Sequence, residues 1–284
     1  MALLHAFAAH RRDDLSAVAT FDHGTGHAAS RAVELVVREC LGRGLTVVAG
    51  RAADRPDGRR TEAAWREARW SFLRAVADDR RATIVTAHTA DDQVETVAMR
   101  ILRGASARGL AGMAVRTAGV ERPLLGITRA MLTDYAARAG VPFIDDPSND
   151  NRAHLRNRLR LELLPAFEAA RPGFLRALLD LAERSAAWRH ALAVLADPLA
   201  VHTDAGTLAV DAAALADLTT DGLASLWPEL AARAGVVLDR RGAARLAEWS
   251  ARAHPGQRMP LSGGAVVERT ARTFVVRAKV RAER

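Results

Sequence analysis

Apolar and polar positions follow two alternating rhythms through the first half of the chain. Met1 to Arg11 has the spacing of a helix. Leu15 to Phe21 is short and apolar and ends at Asp22-His23-Gly24, the form of a strand entering a turn. Ser30 to Leu41 is amphipathic, with Ala32, Leu35, Val36 and Glu39 at helical intervals and Gly42 and Gly44 as stops. Leu45 to Ala49 reads as a second strand, and Arg51 to Arg60 as a polar loop containing Pro and Gly. Thr61 can cap a helix from Glu62 to Val76. Ala82 to Ala87 predicts a third strand, and Asp91 to Arg103 a further helix that Gly104 can close. This alternation predicts an α/β fold, a parallel sheet with helices on both faces. Ligands in such folds bind beyond the carboxyl ends of the strands, where Asp22, His23 and His88 are expected.

The character changes after Pro165. Phe167 to Val194 is Ala-rich and helical, Asp197 to Gly206 reads as a loop, and more helices run to about Trp249. Arg258 to Val280 predicts a β-hairpin with Ser262-Gly263-Gly264 at its turn. A catalytic domain over residues 1–165 and a mainly helical domain over 166–284, ending in that hairpin, are therefore expected.

Composition narrows the function classes. The formal charge is +8, and of 41 basic residues only Lys279 is lysine. A positive field favours a polyanionic partner, and arginine suits phosphate through its bidentate fork. Cys40 is the only cysteine, which excludes a disulfide framework and a cysteine-based metal or iron–sulfur site. No apolar run reaches the ~18 residues of a membrane span. A cytoplasmic protein with no membrane partner is expected.

Four groups of residues carry chemistry. Thr86-Ala87-His88-Thr89-Ala90-Asp91-Asp92-Gln93-Val94-Glu95-Thr96 sets two adjacent carboxylates at a helix start. The helix dipole favours acidic residues there, and an N-cap accounts for one of them. Glu62, Arg66, Arg69 and Trp70 recur on one helix, which by itself is an ordinary charged face. Arg100 and Arg103 lie three apart before Gly104. Asp145-Asp146-Pro147-Ser148-Asn149 reads as a turn, but a turn does not account for Arg156, Arg158 and Arg160 on the segment that follows.

Together with Phe21-Asp22-His23-Gly24 and Leu164-Pro165, these residues resemble the tRNA(Ile)-lysidine synthetases, members of the N-type ATP-pyrophosphatase or PP-loop group. His88 to Thr96 is similar to that family's AHHxDDQxET, with Thr89 in place of the second His. Asp145 to Asn149 resembles its (D/E)DPSN, Arg156 its RNxxR, and Arg100 to Gly104 its RxxRG. The resemblance is strong over about residues 1–170 and weak beyond. In the family an SGGxDS phosphate loop directly precedes a helix that begins like Met1-Ala2-Leu3-Leu4-His5. That loop and its strand are not in this chain, so the first strand of an adenine nucleotide alpha hydrolase-like fold is expected to be missing and the chain as it stands to be inactive. Met1 is expected to be an internal methionine of a longer protein. Ser262-Gly263-Gly264 is no substitute, because Ala265-Val266-Val267 continues as a strand instead of opening a helix.

The resemblance implies ATP-dependent ligation of free L-lysine to C2 of the wobble cytidine of tRNA(Ile), with ATP and Mg²⁺ as cofactors. It implies Asp145, Arg103 and His88 as catalytic residues, and Asp22, His23, Asp91, Asp92 and Gln93 as nucleotide-binding residues. Glu62, Arg66, Arg69, Arg156, Arg158 and Arg160 are implied at the substrate or tRNA, with no protein metal ligand. A homodimer is left open. Two alternatives stand beside this reading: a non-catalytic tRNA-binding remnant and another PP-loop tRNA-modifying enzyme.

Overall fold

The computed structural model describes residues 1–24, 26–52, 62–144, 152, 154–204 and 206–278. By compactness the chain falls into two units. Met1–Met99 with Gly112–Asp180 forms the first, and Arg100–Ala111 with Leu181–Arg284 the second.

The first unit opens with α1 (Ala2–His10) and a 3₁₀ turn, then β1 (Val18–Asp22), α2 (His27–Gly42), β2 (Val47–Arg51) and α3 (Glu62–Arg80). Next come β3 (Ile84–Val85), α4 (Ala90–Leu102), α5 (Ala107–Leu110), β4 (Arg116–Thr117), β5 (Val120–Glu121) and α6 (Arg129–Arg138). The end of α4 and all of α5 group with the second unit. The expected parallel pairing is present twice. β1 pairs parallel with β2, Val18 opposite Val47, and β3 pairs parallel with β5, Ile84 opposite Val120. β4 completes the second sheet antiparallel to β5.

α3 is fixed to the first sheet by one ring. Phe72 packs 5.3 Å from Phe21 of β1 and fills the space over Gly50 of β2, where a Cβ would stand 2.6 Å from a ring carbon. Glycine is required there by close approach, not by backbone conformation. Arg69 lies one turn before Phe72 on the same face and is half-buried, whereas Arg66 is exposed.

After α6, the first unit continues with α7 (Leu155–Arg158), a π turn (Leu159–Leu163) and α8 (Leu164–Ala170). α9 (Phe174–Ala196) runs from this unit into the second. The single helix expected from Phe167 to Val194 is therefore broken. Pro172 cannot continue α8, and Gly173 turns the chain with φ +89°.

The second unit corrects another expectation. The stretch read as a loop from Asp197 to Gly206 holds β6 (Ala200–Asp204), which forms an antiparallel hairpin with β7 (Thr207–Asp211). Leu208 and Val210 alternate into the core and are fully buried, a pattern too short to announce itself. After α10 (Thr220–Arg233) and α11 (Arg240–Ser250) come β8 (Arg258–Pro260), β9 (Val266–Arg269) and β10 (Thr273–Arg277). The hairpin expected at the C-terminal end is β8–β9, turning through Ser262–Gly264. It belongs to a five-stranded antiparallel sheet in the order β6-β7-β10-β9-β8. Trp227 of α10 is fully buried against this sheet, 5.5 Å from Phe274, and its indole N–H donates to the Ser250 hydroxyl at 2.8 Å.

Candidate active site

Several candidate groups of the first unit, Asp22, His23, His88 and Arg122, stand where strands end. β3 stops at Val85, and the Thr86 amide donates to the Glu121 carbonyl of β5 at 2.9 Å, so the two chains leave the sheet side by side. One leads to His88 and α4, the other to Arg122.

The α4 start is built as a reciprocal cap. The Thr89 amide and hydroxyl both donate to Asp92 Oδ2 at 2.9 Å, and the Asp92 amide donates to Thr89 Oγ1 at 3.3 Å. This is the capping-box arrangement with Asp in the acidic position. The departure from the family pattern at Thr89 thus supplies the cap. Asp91 Oδ2 accepts the Arg129 amide at 2.7 Å, which ties the α4 start to the first turn of α6. Gln93 is buried and pairs both ends of its amide with the Met113 backbone, at 2.9 and 2.7 Å. Gly112 makes this possible: its φ is +63°, and a Cβ there would lie 2.6 Å from Gln93 Oε1.

Asp22 is spent on structure as well. Its carboxylate accepts the Gly24 amide at 2.8 Å and the Ser30 hydroxyl at 3.1 Å, closing the turn from β1 into α2. The His23 ring stands edge-on to Phe21 at 5.3 Å. Asp22, Asp91, Asp92 and Gln93, expected to hold nucleotide, are therefore engaged in shaping the loops around the site.

Glu95 is 2 % exposed. Its Oε2 accepts from Arg156 Nε at 2.5 Å, and the same guanidinium reaches Asp92 Oδ1 at 3.1 Å. Arg129 stands 3.7 Å from Glu95 Oε1 and 3.9 Å from Asp92 Oδ1. Two carboxylates and two guanidiniums thus offset one another. Arg156, expected at RNA phosphate, is held by carboxylates of its own unit. Arg158 is exposed on α7, and Arg160 points to Asn157 at 3.4 Å. Glu62 opens α3, but its side chain lies outside the described atoms, and Asp145 lies outside the described residues. Arg103 is exposed just beyond α4, in the second unit. Gly104 closes that helix as expected, with φ +68° and the Ala105 amide returning to the Arg100 carbonyl at 2.9 Å.

His88 Nδ1 lies 2.8 Å from the Thr86 hydroxyl. Burial pushes its pKa below the ordinary value. Asp92 opposes that shift, while Arg122, Arg156 and Arg66 add to it. The imidazole is accordingly neutral at neutral pH. Burial likewise lowers the pKa of Arg69, helped by Arg66 and Arg156, and that of Arg122, helped by Arg66. Arg122, Arg156 and Arg66 thus act on His88, and Arg66 and Arg156 on Arg69. Arg122, Arg129 and Glu95 were not among the site residues expected from sequence. Glu95 stood in the quoted pattern. Arg122 follows a two-residue strand, and its only signal is its place at a strand's carboxyl end.

The PP-loop domain family described as ATP_bind_3 matches residues 1–167. A tRNA(Ile)-lysidine synthase from Salinispora arenicola is 36 % identical over 84 % of this chain and 75 % of its own length. The chain belongs to the PP-loop family and, within it, to the tRNA(Ile)-lysidine synthases. The relative from Thermobifida fusca is 34 % identical over 75 % of the chain and 66 % of its own length. The one from Bradyrhizobium diazoefficiens is 40 % identical over 63 % of the chain and 51 % of its own. The chain thus spans between about half and three quarters of these relatives. Among solved structures, a U34-tRNA thiolase from Methanococcus maripaludis superposes with a TM-score of 0.52 at 13 % identity, covering 64 % of this chain and 66 % of that one. That likeness shows the shared fold. Among the described residues no helix is long and apolar enough to cross a membrane.

Proposed function

We propose that this chain serves the ATP-dependent ligation of L-lysine to C2 of the wobble cytidine of a tRNA(Ile) with a CAU anticodon. The observation that carries this reading is the group of guanidiniums around a neutral His88 at the carboxyl ends of β3 and β5, in a chain of this family. ATP would adenylate the C2 oxygen and release pyrophosphate. The lysine amine would then attack C2 and displace AMP.

The residues present suit each demand. Guanidiniums offset the charge that gathers on the departing pyrophosphate. An ammonium group does not attack, so the lysine amine must lose a proton. His88, kept neutral by burial, is a group able to receive it. Asp145, Arg103 and His88 are the proposed catalytic residues. Magnesium belongs in this reading to the nucleotide phosphates, and residues 166–284 to the tRNA. Lysine, tRNA and ATP meet in the cytoplasm.

A thiolase reading is disfavoured by Cys40, the sole cysteine, which is buried in α2 with its thiol pKa raised by that burial. The test is AMP release by this chain joined to the SGGxDS segment. Release should require both lysine and a transcript with C at the wobble position. Equal release with U at that position would remove the proposal.

A further inference from the structure

We propose that Arg122 is an anion-binding residue which, with Arg66 and Arg69, forms a seat for a polyphosphate chain beside His88. The proposal deepens the ATP-dependent reading above and rests on it for the source of the polyphosphate.

Topology brings the three arginines together. β3 and β5 are parallel neighbours, with Val85 opposite Glu121, so Arg122 leaves the sheet at the end where the chain turns toward His88. Phe72 of α3 packs over Phe21 and Gly50, near the carboxyl ends of β1 and β2, so the preceding turns, which carry Arg66 and Arg69, lie toward those ends. The field of Arg66 at both Arg122 and His88 agrees with this placement.

Charge accounting then singles these three out. Asp92 and Glu95 are offset by Arg156 and Arg129. Among the described residues no carboxylate pairs with Arg66, Arg69 or Arg122, and Arg66 lies within the field of both others. Such a set is self-repelling until an anion enters it.

Arg122 has one further mark. Its Nη1 donates to the Ala114 carbonyl at 3.0 Å, which holds the fork in place. Its Nε–H is buried and has no hydrogen-bond partner among the described residues. A buried donor without an acceptor is costly, most of all on a charged group. A phosphate oxygen is the acceptor that relieves both this deficit and the excess charge, and a fixed fork is the geometry that takes two such oxygens. A diphosphate or triphosphate, with charge spread over adjacent groups, matches three guanidiniums better than a single phosphate does.

The test is equilibrium binding of inorganic pyrophosphate to residues 1–284, with ATP and a single-stranded RNA oligonucleotide as parallel arms. Arg122→Gln should weaken pyrophosphate and ATP binding about ten- to hundredfold, the effect of one charge-assisted fork. Arg138→Gln, which removes an exposed arginine outside the cluster, should leave both constants unchanged. Circular dichroism and a thermal melt establish that each variant is folded. Should Arg122→Gln not fold, Arg66→Gln on the exposed face of α3 carries the test, with the same expected loss. Unchanged pyrophosphate affinity in the folded variant overturns the proposal, as does a loss confined to the oligonucleotide. None of these readouts requires lysine transfer. Failure here is thus distinct from failure of the ligase reading.

Discussion

Replacing Arg156 by Met leaves Glu95 as a buried carboxylate without its hydrogen-bonded partner. In the native protein Arg156 Nε lies 2.5 Å from Glu95 Oε2, and its other arm reaches Asp92 at 3.1 Å. Removing one member of a buried pair costs about 3–5 kcal/mol, because the remaining charge stays desolvated. Two features place this case lower. The Arg156 side chain is 39 % exposed, so water can enter where it stood. Arg129, 3.7 Å from Oε1, retains part of the attraction. A loss of about 2–3 kcal/mol is expected, or about 5–10 °C for a domain of this size. The assay is urea unfolding followed by tryptophan fluorescence, together with a double-mutant cycle. Glu95→Leu combined with Arg156→Met removes both charges and should recover at least half of the loss, since an apolar pair of similar volume is tolerated where a lone charge is not. A loss below about 0.5 kcal/mol in Arg156→Met, the level of an exposed ion pair, would refute the reasoning. So would a double variant no more stable than the single one.

Gly50→Ala should destabilise by about 1–3 kcal/mol through overpacking against Phe72, seen as a lower urea midpoint. Gly112→Ala combines a left-handed backbone with a clash at Gln93 and should cost about 2–4 kcal/mol by the same measurement. His88 is held neutral by burial, so the unfolded chain takes up its proton first on acidification. Native stability should therefore fall as pH drops below the ordinary 6.5 and show no His88 contribution above it, and a His88→Gln variant should lose that acid-side slope. In tRNA binding, Arg158→Ala should reduce the slope of log K against log salt by about 0.7–0.9, whereas Arg156→Met should leave it unchanged.

Much of the first unit was legible because its elements are long and locally marked. α2 and α4 show helical periods, and Gly104, just past the unit's end, stands where a left-handed C-cap is needed. The hairpin β6–β7 was not, because a five-residue strand bearing Asp, Thr and Ala carries little pattern, and its burial is decided by α10 beyond it. The site divides in the same way. Asp91, Asp92 and Glu95 are visible as a motif, but their partners are not. Arg156 meets Glu95 across 61 positions of sequence, and only the fold makes that pair. Asp22, Asp91 and Asp92, expected at the nucleotide, also make cap and turn contacts that sequence does not announce, because an acidic side chain looks alike in sequence whether it faces a ligand or a backbone amide. Arg122 follows a strand of two residues, below the length at which any period exists.

The central claim is most directly tested by transfer of radiolabelled L-lysine to a tRNA(Ile) transcript with a CAU anticodon, using this chain joined to the SGGxDS segment. The account predicts ATP-dependent label on the transcript. It predicts loss of that label when the wobble C is changed to U, and strong impairment in folded His88→Ala and Asp145→Ala proteins. Label that ignores the wobble base, or full activity in both variants, would contradict it.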